Sequence, residues 1–337
     1  MTTTLVTGAA GFIGSHVAKS LLDKGQRVIA MDDLSGGFAD NVPDDVEFVE
    51  GTVVDTELVA ELFTRHQFDR VFHLAAYAAE GLSHYIRHFN YENNVLGSMN
   101  LINESVKHDV GRFVFTSSIA VYGANQLPMT EDLVPQPEDP YGIAKYAVEM
   151  DLAAAHSQFG LEYTIFRPHN VYGEHQNTGD RYRNVVGIFM NQIMKGDPLT
   201  IFGDGSQTRA FSYIADVAPA IASSPEIPAT VGEVFNIGAD QPHSVLNLAH
   251  VVAAEFGVDP HITFLPERNE VLHAYASHDK VRSVFDLGDT TPLEIGIGRM
   301  AAWAQSVGPR KTKDFEGVEV WKMFPAGWES AVARPEE

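Results

Sequence analysis

The sequence predicts an α/β protein: a doubly wound parallel sheet with helices on both faces, and a smaller α/β lobe over the carboxyl ends of its strands. Three observations predict it. Short apolar runs alternate with loop or helical stretches through the first half of the chain. A cluster of glycines, Gly8-Ala9-Ala10-Gly11-Phe12-Ile13-Gly14, follows the first run at once and opens an amphipathic helix. An acidic residue, Asp32, closes the second run about twenty residues further on.

Taken in order, Thr3 to Thr7 reads as a strand, the helix after the glycines runs to about Lys24, and Arg27 to Met31 is the second strand. Val46 to Glu50, Arg70 to Leu74, Arg112 to Thr116 and Leu161 to Arg167 read as further buried strands. After them the pattern loosens. Pro168-His169-Asn170-Val171-Tyr172-Gly173 breaks the strand, a polar loop follows, and Val185 to Lys195 reads as a helix. Short strands near Leu199–Phe202, Ala210–Ser212 and Glu233–Ile237 alternate with helices near Asp216–Ser223, Val245–Phe256 and Pro292–Ser306. Residues 1–167 are thus expected to form a Rossmann-type domain, rejoined by about 210–225, and residues 168–306 the smaller lobe. The tail, 307–337, has no usable periodicity and is assigned no role.

The glycine cluster suits a pyrophosphate. Gly8 permits a tight turn, Gly11 lets backbone approach the phosphates, and Gly14 allows close helix–strand packing, with Phe12 and Ile13 at the helix start. A carboxylate at Asp32 accepts both ribose hydroxyls and repels a 2′-phosphate, which favours NAD over NADP. Further on, Asp139-Pro140-Tyr141-Gly142-Ile143-Ala144-Lys145 reads as a helix start, with Asp139 as N-cap and Pro140 at the first position. Tyr141 and Lys145 then stand one turn apart on one face. A phenol has a pKa of about 10, and a neighbouring ammonium favours its phenolate, so Tyr141 is a candidate base.

Composition narrows the function classes. With 337 residues, 45% hydrophobic and 20% charged, the chain can bury a large core. The net charge of −22 argues against nucleic acid, and an anionic ligand must be held by local Arg, Lys and helix N-termini. Zero cysteines exclude disulfides and thiolate metal sites, and no metal is expected. The absence of a signal segment or a long apolar run leads us to expect a cytoplasmic protein with no membrane partner.

With Gly8-x-x-Gly11-x-x-Gly14, Asp32, His73-Leu74-Ala75-Ala76, Asn94, Ser117-Ser118-Ile119-Ala120-Val121-Tyr122-Gly123 and Tyr141-x-x-x-Lys145 in this order, the chain resembles the extended short-chain dehydrogenase/reductase family. It is most similar to the nucleotide-sugar epimerases and dehydratases, of which UDP-glucose 4-epimerases are typical. The resemblance implies bound NAD, a UDP-sugar substrate and a homodimer. It makes Tyr141 the base, Lys145 the partner of the nicotinamide ribose, and Ser118 the hydrogen-bond donor to the reacting hydroxyl. Leu74, Ala75, Ala76, Asn94 and Pro168 would border the cofactor. Asn170, Asn184, Val185 and Phe202 would meet the nucleotide. Arg209, in Gly203-Asp204-Gly205-Ser206-Gln207-Thr208-Arg209, and Arg268 would bind the diphosphate, with Glu270 on the ribose. Arg181 and Arg183 could face a uronate. His169 is read as a packed loop histidine, or else as a ring or donor for the sugar. Ala274 would leave room for a bulkier sugar. Family members that eliminate water resemble one another in an Asp-Glu pair directly after the serine. Here those places are Ile119 and Ala120, which cannot move a proton, and the resemblance then implies 4-epimerisation.

Overall fold

The computed structural model describes residues 1–267, 271–311, 315, 317–325 and 328. Its centre is a seven-stranded sheet in the order β11-β6-β5-β4-β1-β2-β3. The strands are β1 (Thr3–Thr7), β2 (Arg27–Asp32), β3 (Glu47–Glu50), β4 (Arg70–His73), β5 (Arg112–Thr116), β6 (Tyr163–Pro168) and β11 (Glu233–Ile237), each parallel to its neighbours.

Adjacent strand residues go to opposite faces. Val6, Ala30, Phe72, Val114 and Phe166 enter one core, while Leu5, Ile29, Val71, Phe113 and Ile165 enter the other. The first face is covered by α1 (Phe12–Asp23) and α8 (Ile214–Ser223), the second by α2 (Thr56–His66), α5 (Gly97–Lys107) and α6 (Pro140–Phe159). Each fully buried aliphatic or aromatic side chain contributes roughly 1.5–3 kcal/mol, so two-sided burial explains why these strands read as continuous apolar runs. Strand order reverses between β1 and β4, which opens a crevice at their carboxyl ends.

The remaining elements build over that crevice. Short helices α3 (Glu80–Ser83) and α4 (Arg87–Tyr91) follow β4. The smaller lobe holds α7 (Val185–Lys195), α9 (Val245–Glu255), α10 (Asp279–Val284) and α11 (Leu293–Val307). Its strands pair as β7 (Val171–Tyr172) with β10 (Ser212–Tyr213), and β8 (Leu199–Phe202) with β13 (Ile262–Leu265). A third small sheet joins β9 (Thr208–Ala210) to β12 (Pro242–Ser244) and β14 (His273–Ala274).

Three details differ from the sequence reading. Glu233–Ile237, expected in the smaller lobe, is the outer strand of the large sheet, paired with β6 through Phe235 and Phe166. The expected strand at Ala210–Ser212 is split at Phe211 into β9 and β10, which belong to different sheets. Pro168 ends β6 in register with Ile237 instead of breaking it. Proline has no N–H to give a ladder, so its place at the strand terminus is the tolerated one.

The glycine turn is held by contact with its own backbone. Gly8 has φ +71, and a Cβ there would meet Ala75 N at 2.7 Å. A Cβ on Gly14 would lie 2.0 Å from the Gly8 carbonyl oxygen. Gly14→Ala is therefore expected to lower stability by about 3 kcal/mol or more, read as a drop in the thermal midpoint, because backbone cannot yield there as a side chain would.

Candidate active site

Asp139 and Pro140 start α6 as the sequence predicts. The Asp139 carboxylate accepts from Gly142 N at 2.9 Å, and Pro140 takes the first turn. This cap places Tyr141 at the cleft floor, 8% exposed, and Lys145 one turn deeper at 2%. Ser118 stands across from them as the N-cap of the turn Ile119–Tyr122, its Oγ accepting from Ala120 N at 3.1 Å. Ser118 stands near enough to the Tyr141 hydroxyl to act on its pKa. The three residues read as catalytic are thus brought together.

Their electrostatics differ from expectation. Lys145 was expected to draw the phenol down. Instead burial raises the Tyr141 pKa above its ordinary value, opposed first by the Ser118 side chain and more weakly by Arg183. Lys145 is itself brought down to about 7 by desolvation, with Glu149 working the other way. Its Nζ donates to the Thr116 carbonyl at 2.9 Å and lies 5.8 Å from the centre of the Tyr141 ring. The reason is common to both groups: a dry site disfavours phenolate and ammonium alike. A positively charged ligand ring beside Tyr141 would shift that balance toward phenolate.

Beneath Lys145 lies a buried network that sequence reading missed. Glu149, one turn on, accepts from Arg167 Nε at 2.9 Å and Nη2 at 2.5 Å, and also from Ser117 Oγ. Arg167 Nη1 in turn donates to the Tyr122 hydroxyl at 2.7 Å, which donates to Asn236 at 2.9 Å. The extension of the Tyr141–Lys145 spacing by another four residues was the available signal.

The crevice fits a dinucleotide. Gly8, Gly11, Phe12, Ile13, Gly14, Asp32, Leu74, Ala75, Ala76 and Pro168 all line one cleft of about 1610 Å³ together with Ser118, Tyr141 and Lys145. Asp32 sits at the carboxyl end of β2, accepting from Ala10 N at 3.0 Å and Leu34 N at 2.8 Å. Burial still raises its pKa above the usual carboxylate value, the backbone N–H bonds opposing. A Cβ at Gly8 or Gly14 would strike backbone, so the turn stays bare there, and the N–H groups that α1 cannot pair in its first turn are the donors open to an anion. Asn94 requires a correction. It is buried behind the wall, its Oδ1 accepting from Tyr77 N at 2.9 Å and its Nδ2 donating to Tyr77 O at 3.2 Å and Asn90 at 2.8 Å. It fixes the loop after β4 and does not line the cleft, because both ends of its amide are engaged with protein.

On the opposite wall, His169, Asn170, Arg181, Asn184, Val185, Phe202 and Arg209 also line the cleft. His169 is the packed histidine of the sequence reading. Its Nδ1 meets the Ala210 carbonyl at 3.0 Å and its Nε2 meets His278 Nε2 at 2.9 Å, and burial lowers its pKa to about 3. Asn184 caps α7 by accepting from Val186 N at 3.0 Å. Arg209 Nη1 donates to Leu272 O at 3.0 Å and Nη2 to Val271 O at 2.6 Å, which aims the guanidinium along the cleft edge. Arg268 and Glu270 lie outside the described residues. Arg181 is exposed, whereas Arg183 crosses the cleft: its Nε is 3.0 Å from Asp180, and its guanidinium lies 4.7 Å from the centre of the Tyr77 ring. Gln176 Oε1 and Thr178 Oγ1 are buried on this wall with no hydrogen-bond partner among the described residues, so polar groups of a ligand suit it. Glu80, also unforeseen, lines the cleft and acts through space on Tyr141.

The chain matches the family model described as NAD dependent epimerase/dehydratase over residues 4–238. It is 34% identical over 307 residues to a protein of Methanocaldococcus jannaschii described as a putative UDP-glucose 4-epimerase, covering 90% of this chain and 98% of that one. The UDP-glucose 4-epimerase of Thermotoga maritima, solved with UDP-glucose, superposes with a TM-score of 0.86 at 34% identity, covering 90% of this chain and 99% of that one. The UDP-glucuronic acid 4-epimerase of Bacillus cereus, solved with UDP-glucuronic acid and NAD, gives 0.83 at 28% identity, with 90% and 99% covered.

The buried lysine has a measurable consequence. Its pKa is about 7 in the fold against 10.5 in the ordinary state, so between these values the unfolded chain binds the extra proton and stability rises with pH. Below about pH 7 the penalty is complete. Nucleotide-free Lys145→Met is expected to melt higher than the parent near neutral pH, with the gap narrowing toward about pH 10; thermal denaturation across that range measures it.

Proposed function

This chain belongs to the NAD-dependent epimerase/dehydratase family, and we propose that within it the enzyme is a 4-epimerase of a UDP-sugar, with UDP-glucose and UDP-galactose as the favoured pair. The observation that carries this reading is the content of the cleft floor. Ser118 and Tyr141 line it together, and the two positions after Ser118 are Ile119 and Ala120, where no acid can assist a second bond cleavage.

Bound NAD supplies a hydride acceptor for the sugar's C4, the same hydride for its return, and a positive ring charge beside the base. The chain's residues manage the proton. Tyr141 takes it from the 4-hydroxyl as C4 becomes a carbonyl carbon, and Ser118 donates a hydrogen bond to O4, where charge develops. Lys145 holds the cofactor's ribose end of the floor, set in place by Thr116 and Glu149. The keto sugar turns about its diphosphate bonds and presents its other face. Tyr141 then returns the proton to O4 on that face. Arg209, which lines the cleft edge, is the cation we assign to the diphosphate.

Ala274, small and buried on the cleft wall, supports a second reading in which the sugar is an N-acetylhexosamine. Arg183 is already paired with Asp180 and stacked on Tyr77, which weakens the case for a uronate. The apolar exposure of Leu96, Met99, Ile143 and Met150 on and beside α5 and α6 supports a homodimer through those helices. Sedimentation is expected to give twice the chain mass.

Incubation with UDP-glucose, UDP-N-acetylglucosamine and UDP-glucuronate, followed by chromatography, is expected to yield the 4-epimer of UDP-glucose. Carbon dioxide or a 4-keto-6-deoxy product would overturn the assignment and give Glu80 the part of a second acid. Tyr141→Phe is expected to cut kcat by about 10³-fold while bound NAD is retained.

A further inference from the structure

Described residues of the stretch after α11, which the sequence left without a role, lie against the cleft. Nearly all of each relative is matched while about a tenth of this chain is not, a share equal in size to that stretch. It leaves α11 with the Arg310 guanidinium 3.9 Å over the Phe38 ring, on the loop after β2, and with Arg310 N donating to Asn191 at 3.1 Å. Phe315 packs tilted against Tyr77 and edge-on against Phe89, with ring centres 5.4 and 5.1 Å away.

Glu319 is its anchor. The carboxylate accepts from His88 N at 2.8 Å and Phe89 N at 3.0 Å, the unpartnered donors at the start of α4. Glu319 N and Val320 N donate to Tyr85 O, and the Tyr85 hydroxyl donates to Met323 O, which holds the next turn. Phe324 and Trp328 are then buried at 7% and 6% exposure against Ala79, Leu82 and Ile86. The indole touches both cleft walls. It lies where a Cβ on Gly81 would approach it to 3.2 Å, and it meets the Tyr182 ring edge-on at 5.2 Å. Trp328, Lys322 and Val320 line the same cleft as Tyr141.

We propose that Trp328, held by the strap that Glu319 anchors, is a positioning residue that closes the sugar end of the cleft between α3 and the loop carrying Tyr182, and so retains the oxidised sugar until its hydride is returned. The retention rests on the epimerase reading; the closing of the sugar end does not. The geometry assigns the indole to this task because it stands against Gly81 of α3, the helix whose Ser83 Oγ accepts from Tyr141 N at 3.3 Å, and lines the same cleft as Tyr141. If a keto sugar escapes, two electrons remain on the bound cofactor as its reduced form, and the oxidised sugar appears free in solution.

The test uses the full chain with its cofactor bound, comparing parent, Trp328→Ala and Trp328→Phe. Calorimetric titration with UDP and with UDP-glucose reads the roof alone. Trp328→Ala is expected to bind UDP-glucose about tenfold more weakly with UDP unchanged, the factor that loss of one aromatic pair allows, and Trp328→Phe is expected to recover most of it. During turnover Trp328→Ala is expected to accumulate reduced cofactor, seen by its absorbance, and to release a keto sugar that borodeuteride traps for mass spectrometry. Should Trp328→Ala melt far below the parent, Glu319→Gln loosens the anchor without opening the core and takes its place. Unchanged UDP-glucose affinity in a well-folded variant overturns the proposal. A binding difference in a protein that converts no UDP-sugar upholds the roof and overturns the epimerase reading instead.

Discussion

The burial of Lys145 is the constraint around which the site is arranged. An ammonium at 2% exposure is stable only if something nearby makes up for lost water, and the fold supplies the Thr116 carbonyl at the end of β5 and the Glu149 carboxylate one turn away on α6. Glu149 is in turn neutralised by Arg167, which β6 brings alongside. Three neighbouring elements must therefore register before the lysine can occupy its place. Tyr141 feels the same dry surroundings, so the floor is tuned as a unit and not by one pair.

The cleft exists because backbone, rather than side chains, sets its inner wall. The reversal of strand order between β1 and β4 leaves the carboxyl ends of both free. The turn at Gly8 and the packing at Gly14 let the chain fold back on itself, and Asp32 locks the far side by accepting from Ala10 N. Asn94 performs the same service for the loop after β4, clasping Tyr77 on both its N–H and its C=O. These polar groups are tied to backbone within the protein, and they leave the wall stiff. The outer wall is different in kind. There Gln176 and Thr178 hold buried polar atoms and Arg183 reaches across to Tyr77, so loops form this wall on a rigid base.

Much of the central architecture was legible in the chain because its signals are local. Short continuous apolar runs, a capped helix start at Asp139 and a glycine turn each depend on residues within a few positions of one another, and β8, α7 and β11 have the bounds read from the sequence. What failed has a common cause. The membership of Glu233–Ile237 in the large sheet, the division of β9 from β10 and the engagement of Asn94 all depend on partners far along the chain. The aromatic residues of the last stretch have no helical or strand period, since they pack on a surface made by α3, α4 and the loop at Tyr182, and nothing local reveals that surface.

Alone, then, the sequence determined the identity of the chemistry-bearing groups: a glycine turn with its acid, a tyrosine and lysine one helical turn apart, and a serine followed by two residues that carry no proton. These are fixed by covalent spacing and by the geometry of a single turn. Only the tertiary structure decided how those groups are tuned, because a pKa answers to burial and to charges from other elements. It also decided which distant aromatic comes to rest over the sugar end, because burial of apolar surface has no direction and no memory of sequence distance.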